Sequence, residues 1–255
     1  GGASCFNLTM GEGNREKAAY YIGNAVSMLF LCGLALCLIT QLFLTSLLKF
    51  FGAPQDVLPY AQEYVRITAL GFPFLLLTTG GGHLIRADGN PRMTMICNLT
   101  GAIINTVLDA LFVMVFQMGM AGAALATVIG QVISAVIVIC YLYHFKTVPL
   151  EKKHLIVNME YTGKIASIGA ASFFNQLAMM VVQIVLNNSL KHYGALSIYG
   201  EAIPIACAGI VMKVNQVFFS IVIGIGQGSQ PIESFNYGAR QYDRVRKAYW
   251  LAAVA

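Results

Sequence analysis

Gly122-Ala-Ala-Leu-Ala-Thr-Val-Ile-Gly-Gln-Val-Ile-Ser-Ala-Val-Ile-Val-Ile-Cys-Tyr-Leu-Tyr143 runs for twenty-two residues without a charged side chain. At about 1.5 Å per residue, a helix of that length crosses the ~30 Å hydrocarbon core of a bilayer. Strands run about 4–8 residues, so a strand reading fails on length. In lipid every backbone N–H and C=O must be bonded internally, which leaves helices or closed barrels. Barrel strands alternate polar and apolar residues, and this stretch does not. Working outward, five more stretches qualify: Tyr20–Leu48, Val65–Leu84, Met93–Phe116, Ile165–Leu190 and Ala202–Ile225, with a seventh starting near Ala248. The expected fold class is all-α integral membrane, a polytopic helical bundle with about six complete transmembrane helices.

Composition agrees. The chain has 255 residues, 57% hydrophobic and 11% charged, where soluble domains run at about 25% charged. The mean hydropathy is +0.69. A formal charge of +5 could suggest nucleic acid, but the basic residues recur in short breaks between apolar runs, so no nucleic-acid partner is expected. The partner implied is the lipid bilayer. Of the six cysteines (Cys5, Cys32, Cys37, Cys97, Cys140 and Cys207), none form a CxxC pair, and all but Cys5 sit in apolar runs. The four histidines show no ligand spacing, so neither disulfides, nor a metal site, nor a cofactor is expected. The chain opens on Gly1-Gly2 without a Met and closes on Trp250-Leu-Ala-Ala-Val-Ala255. It reads as an internal piece of a longer protein.

The breaks set the expected orientation. Phe51-Gly-Ala-Pro54, Ala87-Asp-Gly-Asn-Pro91 and Met118-Gly-Met-Ala-Gly122 carry turn chemistry. Alternate breaks hold Arg15 and Lys17; Arg86 and Arg92; Lys146, Lys152, Lys153 and Lys164; and Arg240, Arg244, Arg246 and Lys247. These are twelve of the sixteen basic residues. The intervening breaks hold only Lys49 and Lys191. By the positive-inside rule, the loops near Arg15, Arg86, Lys152 and Arg244 are expected in the cytoplasm of a multi-pass cell-membrane protein. The sequence also echoes itself. Gly1-Gly-Ala-Ser4 and Met10-Gly-Glu-Gly-Asn-Arg-Glu-Lys-Ala-Ala-Tyr20 find counterparts in Gly226-Gln-Gly-Ser229 and Tyr237-Gly-Ala-Arg-Gln-Tyr-Asp-Arg-Val-Arg-Lys-Ala-Tyr249. Each copy reads as Gly-rich turns and a basic loop before an apolar helix. An even number of crossings between them suggests parallel repeats, a transporter architecture.

Ile85-Arg-Ala-Asp-Gly-Asn-Pro-Arg92, Asn105-Thr-Val-Leu-Asp109, Gly119 with Gly122-Ala-Ala-Leu-Ala-Thr127, Gly226-Gln-Gly-Ser-Gln-Pro-Ile232 and Asn236-Tyr-Gly-Ala239 resemble, in order, motifs of the multidrug and toxic compound extrusion (MATE) family. They look like its loop after the fourth helix, its fifth and sixth helices, and its loop after the eighth. The resemblance implies two six-helix lobes in the full protein. Residues 1–145 would belong to the N-terminal lobe (family helices 3–6), 146–160 to a cytoplasmic linker, and 161–255 to the C-terminal lobe (helices 7–8 and the start of 9). It implies a monomeric antiporter that exports cationic amphiphilic small molecules in exchange for protons or sodium ions by alternating access. Many bacterial members carry an acid in the seventh helix. The matching stretch here, Gly169-Ala-Ala-Ser-Phe-Phe-Asn175-Gln176, has amides, which puts that sodium site in doubt. Gln227-Gly-Ser-Gln-Pro-Ile232 points to the drug-efflux branch of Gram-positive bacteria.

An acid within a membrane helix is costly and needs a reason. Asp109, Asn105 one turn earlier and Asn98 two turns before that share a helical face. Either Asp109 exchanges a proton for a cationic substrate, or Asn105 and neighbouring backbone hold it for packing. Gln176, Gln183 and Asn187 share another face. They either line a cleft between lobes or make interhelical hydrogen bonds. Lys213, beside Asn215 and Gln216, either pairs with an acid elsewhere or snorkels; Glu201 is too far along the helix to pair with it. Glu63 and Arg66 are expected to form a helix-face pair, and Asp88 a turn that could hold an inner gate. Gly122-x-x-x-Ala126-x-x-x-Gly130 reads as a close-packing stripe. Thr78-Thr79-Gly80-Gly81-Gly82 reads as a bend or hinge. Phe72, Phe74, Phe173, Phe174, Phe218 and Phe219 could stack on flat cations. A lipid-linked precursor flippase of the same superfamily is the alternative. An enzyme is not expected, since no GxSxG, HExxH or catalytically paired acids occur.

Overall fold

The computed structural model describes residues 1–51, 57–198, 200 and 202–254. Gly52, Ala53 and Pro54 of the first expected turn, Glu201 and the Lys191 side chain lie outside the described residues. Among the described residues ten α-helices follow one another: α1 Gly2–Gly11, α2 Arg15–Leu42, α3 Leu44–Phe50, α4 Leu58–Leu70, α5 Phe72–Ala87, α6 Pro91–Asp109, α7 Gly119–Tyr143, α8 Met159–Ala195, α9 Ala202–Gly238 and α10 Tyr242–Val254. No strand occurs among the described residues. Among the described residues five helices are long and apolar enough to cross a membrane, and α4 with α5, bent by 55°, makes a sixth if the pair is one span. The protein is a polytopic helical membrane protein.

Helix starts follow the local chemistry. Asn14 caps α2 by accepting from Lys17 N at 3.1 Å, Asn90 caps α6 from Met93 N at 3.3 Å, and Asn158 caps α8 from Glu160 N at 2.9 Å. Each supplies an acceptor for a backbone N–H that the first turn leaves unpaired. Pro91 at the first position of α6 has no N–H to satisfy.

Four expectations need correction. The bend in the second span falls at Gly71, not at Gly80–Gly82. Pro73, two residues on, removes a backbone donor and disfavours a continuous helix there. The three glycines instead stand inside α5, where Leu29 of α2, Val138 of α7 and Thr94 of α6 press against them. The first span also stops short: α2 ends at Leu42 and Phe43 separates it from α3. The stretch from Gly226 to Gly238, expected as a loop, is helical and continues α9 through Pro231. Gly1-Gly-Ala-Ser4 is likewise not a turn, since α1 begins at Gly2. Both stretches lie against each other, so packing overrides their weak helix propensity.

The buried core is built by α1, α2, α5, α6 and α7, with Phe6, Ile22, Leu84, Ile85 and Val138 almost fully enclosed. The small stripe of α7 works as expected: Gly122, Ala126 and Gly130 are buried. A Cβ on Gly130 would lie 2.9 Å from the carbonyl oxygen of Gly101 on α6, so only glycine permits that approach. By contrast, α8 and α9 present mostly exposed apolar residues, with Phe173, Phe174, Phe218 and Phe219 all open.

The polar segment after α7 folds back. Asp88, in the turn between α5 and α6, accepts from Tyr141 Oη at 2.7 Å, Lys146 N at 3.1 Å, Thr147 N at 3.0 Å and the Thr147 hydroxyl. Asn24 of α2, fully buried, donates to His154 O at 3.3 Å and accepts from Asn158 N at 2.7 Å. Tyr20 packs edge-on against His154 and stacks on Tyr161. The breaks holding Arg15, Arg86 and Lys152 therefore lie together at one end of the bundle.

Candidate functional site

A polar cavity of about 270 Å³ opens between α5, α6 and α7. It is lined by Thr78 and Thr79 from α5, Asn98 and Asn105 from α6, and Thr127, Gln131 and Ser134 from α7. The side chains are placed by helical period. Asn98, Gly101 and Asn105 stand at intervals of three and four on α6, and Thr127, Gln131 and Ser134 at four and three on α7, so both stripes face each other. The crossing of Gly101 and Gly130 brings them within bonding range. Asn105 Nδ2 donates to Thr127 Oγ1 at 3.4 Å, Thr127 Oγ1 donates to Ala123 O at 2.9 Å, and Ser134 Oγ donates to Cys97 O at 2.9 Å.

Two acceptors remain without a partner among the described residues. Asp109 Oδ1 and Gln131 Oε1 are buried and accept no hydrogen bond. Most buried polar atoms find a partner, and leaving one unpaired costs about 1–3 kcal/mol. Asn105, the neighbour expected to hold Asp109, donates to Thr127 instead. Asp109 also ends α6: from Ala110 to Val115 the chain winds as a π-helix, with Phe116 N bonding Leu111 O at 3.0 Å. Such wide turns recur at functional sites because they re-aim the side chains around them. The two acceptors stand apart: Gln131 lines the cavity with its oxygen toward Gly71, and Asp109 lies one turn beyond Asn105, outside the lining. The free carboxylate oxygen of Asp109 suits a proton or a hard or organic cation.

A second cavity, of about 570 Å³, lies between α1, α2 and α5 on one side and α8 and α9 on the other. His83, Ser172, Gln176, Gln227 and Gln230 supply its polar groups. His83 Nδ1 pairs with an Arg86 guanidinium nitrogen at 2.9 Å. Since arginine only donates, that contact makes Nδ1 the acceptor and places the ring hydrogen of neutral His83 on Nε2.

The expected residues thus separate. Asn98 and Asn105 line the first cavity, and Asp109 follows one turn beyond Asn105. Gln176 lines the second cavity, while Gln183 and Asn187 bond each other at 3.1 Å further along α8. Lys213 is exposed midway along α9 and has no ion-pair partner among the described residues. Glu63 and Arg66 do not form the expected pair; the one ion pair among the described residues joins Lys153 to Glu151 at 2.9 Å. Arg66 is tied down through its backbone, whose carbonyl accepts from Gln41 Nε2 at 2.6 Å. Sequence reasoning missed Thr127 and Gln131 as site residues. Their signal was present as a polar stripe, Thr127, Gln131 and Ser134, in an otherwise apolar helix.

Comparison with known proteins bears on this arrangement. A family profile described as MatE matches residues 8–111 and 171–255. The multidrug export protein MepA of Staphylococcus aureus (strain NCTC 8325 / PS 47) is 29% identical over 210 residues, which cover 82% of this chain and 45% of MepA. MepA of Staphylococcus haemolyticus (strain JCSC1435) is 26% identical over 238 residues, covering 93% of this chain and 51% of that protein. The chain spans about half the length of the curated relatives it matches. Among solved structures, a MATE protein in the bent conformation superposes with a TM-score of 0.83 at 21% identity, over 98% of this chain and 55% of the other. A MOP-superfamily transporter from Pyrococcus furiosus, described as having a binding pocket of reverse polarity, superposes with a TM-score of 0.81 at 20% identity, over 98% and 55%. These likenesses establish a shared fold.

Proposed function

The chain belongs to the MatE family of membrane transporters, and on that premise we propose that it forms the central part of a secondary antiporter exporting cationic amphiphilic drugs or toxins in exchange for protons or sodium ions. Residues 1–145 belong to one lobe and 161–255 to the other, with the breaks near Arg15, Arg86, Lys152 and Arg244 in the cytoplasm of a cell-membrane protein.

The observation that carries the reading is the unpartnered Asp109 oxygen at the end of α6, one turn beyond the polar stripe that ends in Asn105. A carboxylate in that setting exchanges one cation for another. With a proton bound it is neutral and releases cargo; once deprotonated it attracts an organic cation or sodium, and the two ligands compete for one charge. Asn105 and Thr127, bonded to each other, come next along the polar path, which Asn98 and Gln131 extend. Gln176 lies on the cleft through which cargo moves. Gln183 and Asn187 continue the same face of α8, and Lys213 stands exposed on α9.

The flippase alternative calls for a strongly cationic cavity. Neither the α5–α7 cavity nor the inter-lobe cavity is lined by Lys or Arg; a cavity that is, with Arg244 and Lys247, lies between α9 and α10 at the basic break, which favours the exporter. The test is ethidium export from efflux-deficient cells carrying the complete gene. Asp109→Asn is expected to lower export at least tenfold and to flatten its dependence on the proton gradient, because the amide cannot exchange a proton. Unchanged export with unchanged proton dependence removes Asp109 from the mechanism.

A further inference from the structure

The two copies of the internal echo end alike and meet face to face. In the first copy Glu12 N bonds Leu8 O at 3.1 Å, Gly13 N bonds Met10 O at 3.0 Å and Asn14 N bonds Thr9 O at 3.1 Å. In the second, Ala239 N bonds Phe235 O at 3.0 Å, Arg240 N bonds Tyr237 O at 3.0 Å and Gln241 N bonds Asn236 O at 2.9 Å. Gly13 (φ 83°) and Arg240 (φ 57°) take the same left-handed step. These are equivalent helix C-caps that satisfy the last carbonyls in the same way.

Their contact is reciprocal. A Cβ on Gly11 of α1 would strike the carbonyl oxygen of Phe235, three residues before Gly238, and would lie 2.7 Å from Ala239 N. A Cβ on Gly238 of α9 would strike the carbonyl oxygen of Leu8, three residues before Gly11, and would lie 2.8 Å from the Leu8 carbonyl carbon. Each glycine sits on the equivalent carbonyl of the other copy, as in a two-fold interface. About two helical turns inward, Gln230 Nε2 donates to Ser4 Oγ at 2.8 Å. Beyond that bond the cavity lined by His83, Gln227 and Gln230 begins.

We infer that the Gly11–Gly238 crossing is the seal that closes the inter-lobe cavity toward the basic loops, and that it must part once in every transport cycle. The inference rests on the alternating-access reading above. Two backbones in direct contact with no interposed side chains form a dry closure. The crossing carries one side-chain hydrogen bond, Ser4–Gln230, and no ion pair among the described residues, and it parts together with the Gly1–Ile165 and Tyr20–Tyr161 contacts that join the same halves. Neither Gly11 nor Gly238 has a positive φ, so alanine fits each helix and acts on the contact alone.

The test uses the complete transporter, in membrane vesicles, with native cysteines replaced. Ser4→Cys with Gln230→Cys is expected to cross-link readily with a short bis-methanethiosulfonate, which forms a disulfide with each cysteine and releases sulfinate, blocking export until reduction. Adding Gly11→Ala or Gly238→Ala is expected to lower the cross-linking rate roughly tenfold, through overpacking, and to admit an impermeant maleimide to Gln230→Cys from the basic-loop side. Gly224→Ala on α9, with open space around it, should behave as wild type. Alanine variants that cross-link at the parent rate, or a cross-link that leaves export intact, overturn the seal. Cross-linking and labelling do not depend on the cargo. If the parent fails to export ethidium, the function reading falls, and the seal is judged by cross-linking alone.

Discussion

Asp88 shows how much one carboxylate can organise. Four groups from the end of α7 and the segment after it converge on its two oxygens. Charged acceptors make hydrogen bonds of about 1.5–3 kcal/mol, and removing one strands its donors. Asp88→Ala is expected to cost about 3 kcal/mol in a thermal or denaturant melt of the detergent-solubilised protein, and Asp88→Asn about half of that. A melt unchanged by the alanine would mean that water replaces those bonds at no cost. Sequence reasoning placed Asp88 in a turn beside Gly89 and Asn90, because turn chemistry is local. Its partners lie 53 to 59 residues away, and no local pattern encodes them. Asp109 was legible for the opposite reason. An acid inside an apolar run is conspicuous by itself, whereas the loss of Asn105 to Thr127 depends on how closely two helices cross.

At the scale of elements, apolar run lengths gave all six spans, since crossing a bilayer imposes a length that any sequence must show. Breaks within spans were less legible. Gly80–Gly82 looked like a hinge because glycine is permissive, yet the neighbouring helices use those glycines for close approach, and Pro73 decides where the bend falls. The α6–α7 crossing rests on the same device. A Cβ on Gly101 would meet Ser134 Oγ, whose bond to Cys97 O joins the helices. Gly101→Ala is therefore expected to destabilise by about 1–3 kcal/mol despite its better helix propensity. A rise in melting temperature would show that propensity outweighs the contact. The segment between α7 and α8 is clamped in a comparable way by Asn24 and by Ser27, whose hydroxyl donates to Leu155 O at 2.6 Å. Asn24→Ala should speed amide exchange at Asn158 by roughly tenfold and open the Lys152–Lys153 bond to trypsin. Unaltered protection would show that the aromatic contacts of Tyr20 suffice.

On the scale of the whole molecule, the basic breaks make a joint statement that no single one makes. The structure brings three of them together through Asp88, Asn24 and Tyr20, and the α1–α9 crossing brings the fourth beside Arg15. Lys49 stands at the other end of the first span, at the close of α3. If the positive-inside rule sets the orientation, the four breaks face the cytoplasm together. Single cysteines in place of Lys17, Arg92, Lys152 and Arg244, in the complete protein freed of native cysteines, should then resist an impermeant maleimide in intact cells and react after permeabilisation. Lys49→Cys should react in intact cells. The reverse pattern would invert the orientation while leaving the fold untouched. A mixed pattern, with two of the four breaks on each side, would contradict the helix order itself, because an odd number of crossings would then have to separate loops that the Asp88 and Asn24 hydrogen bonds hold at one end.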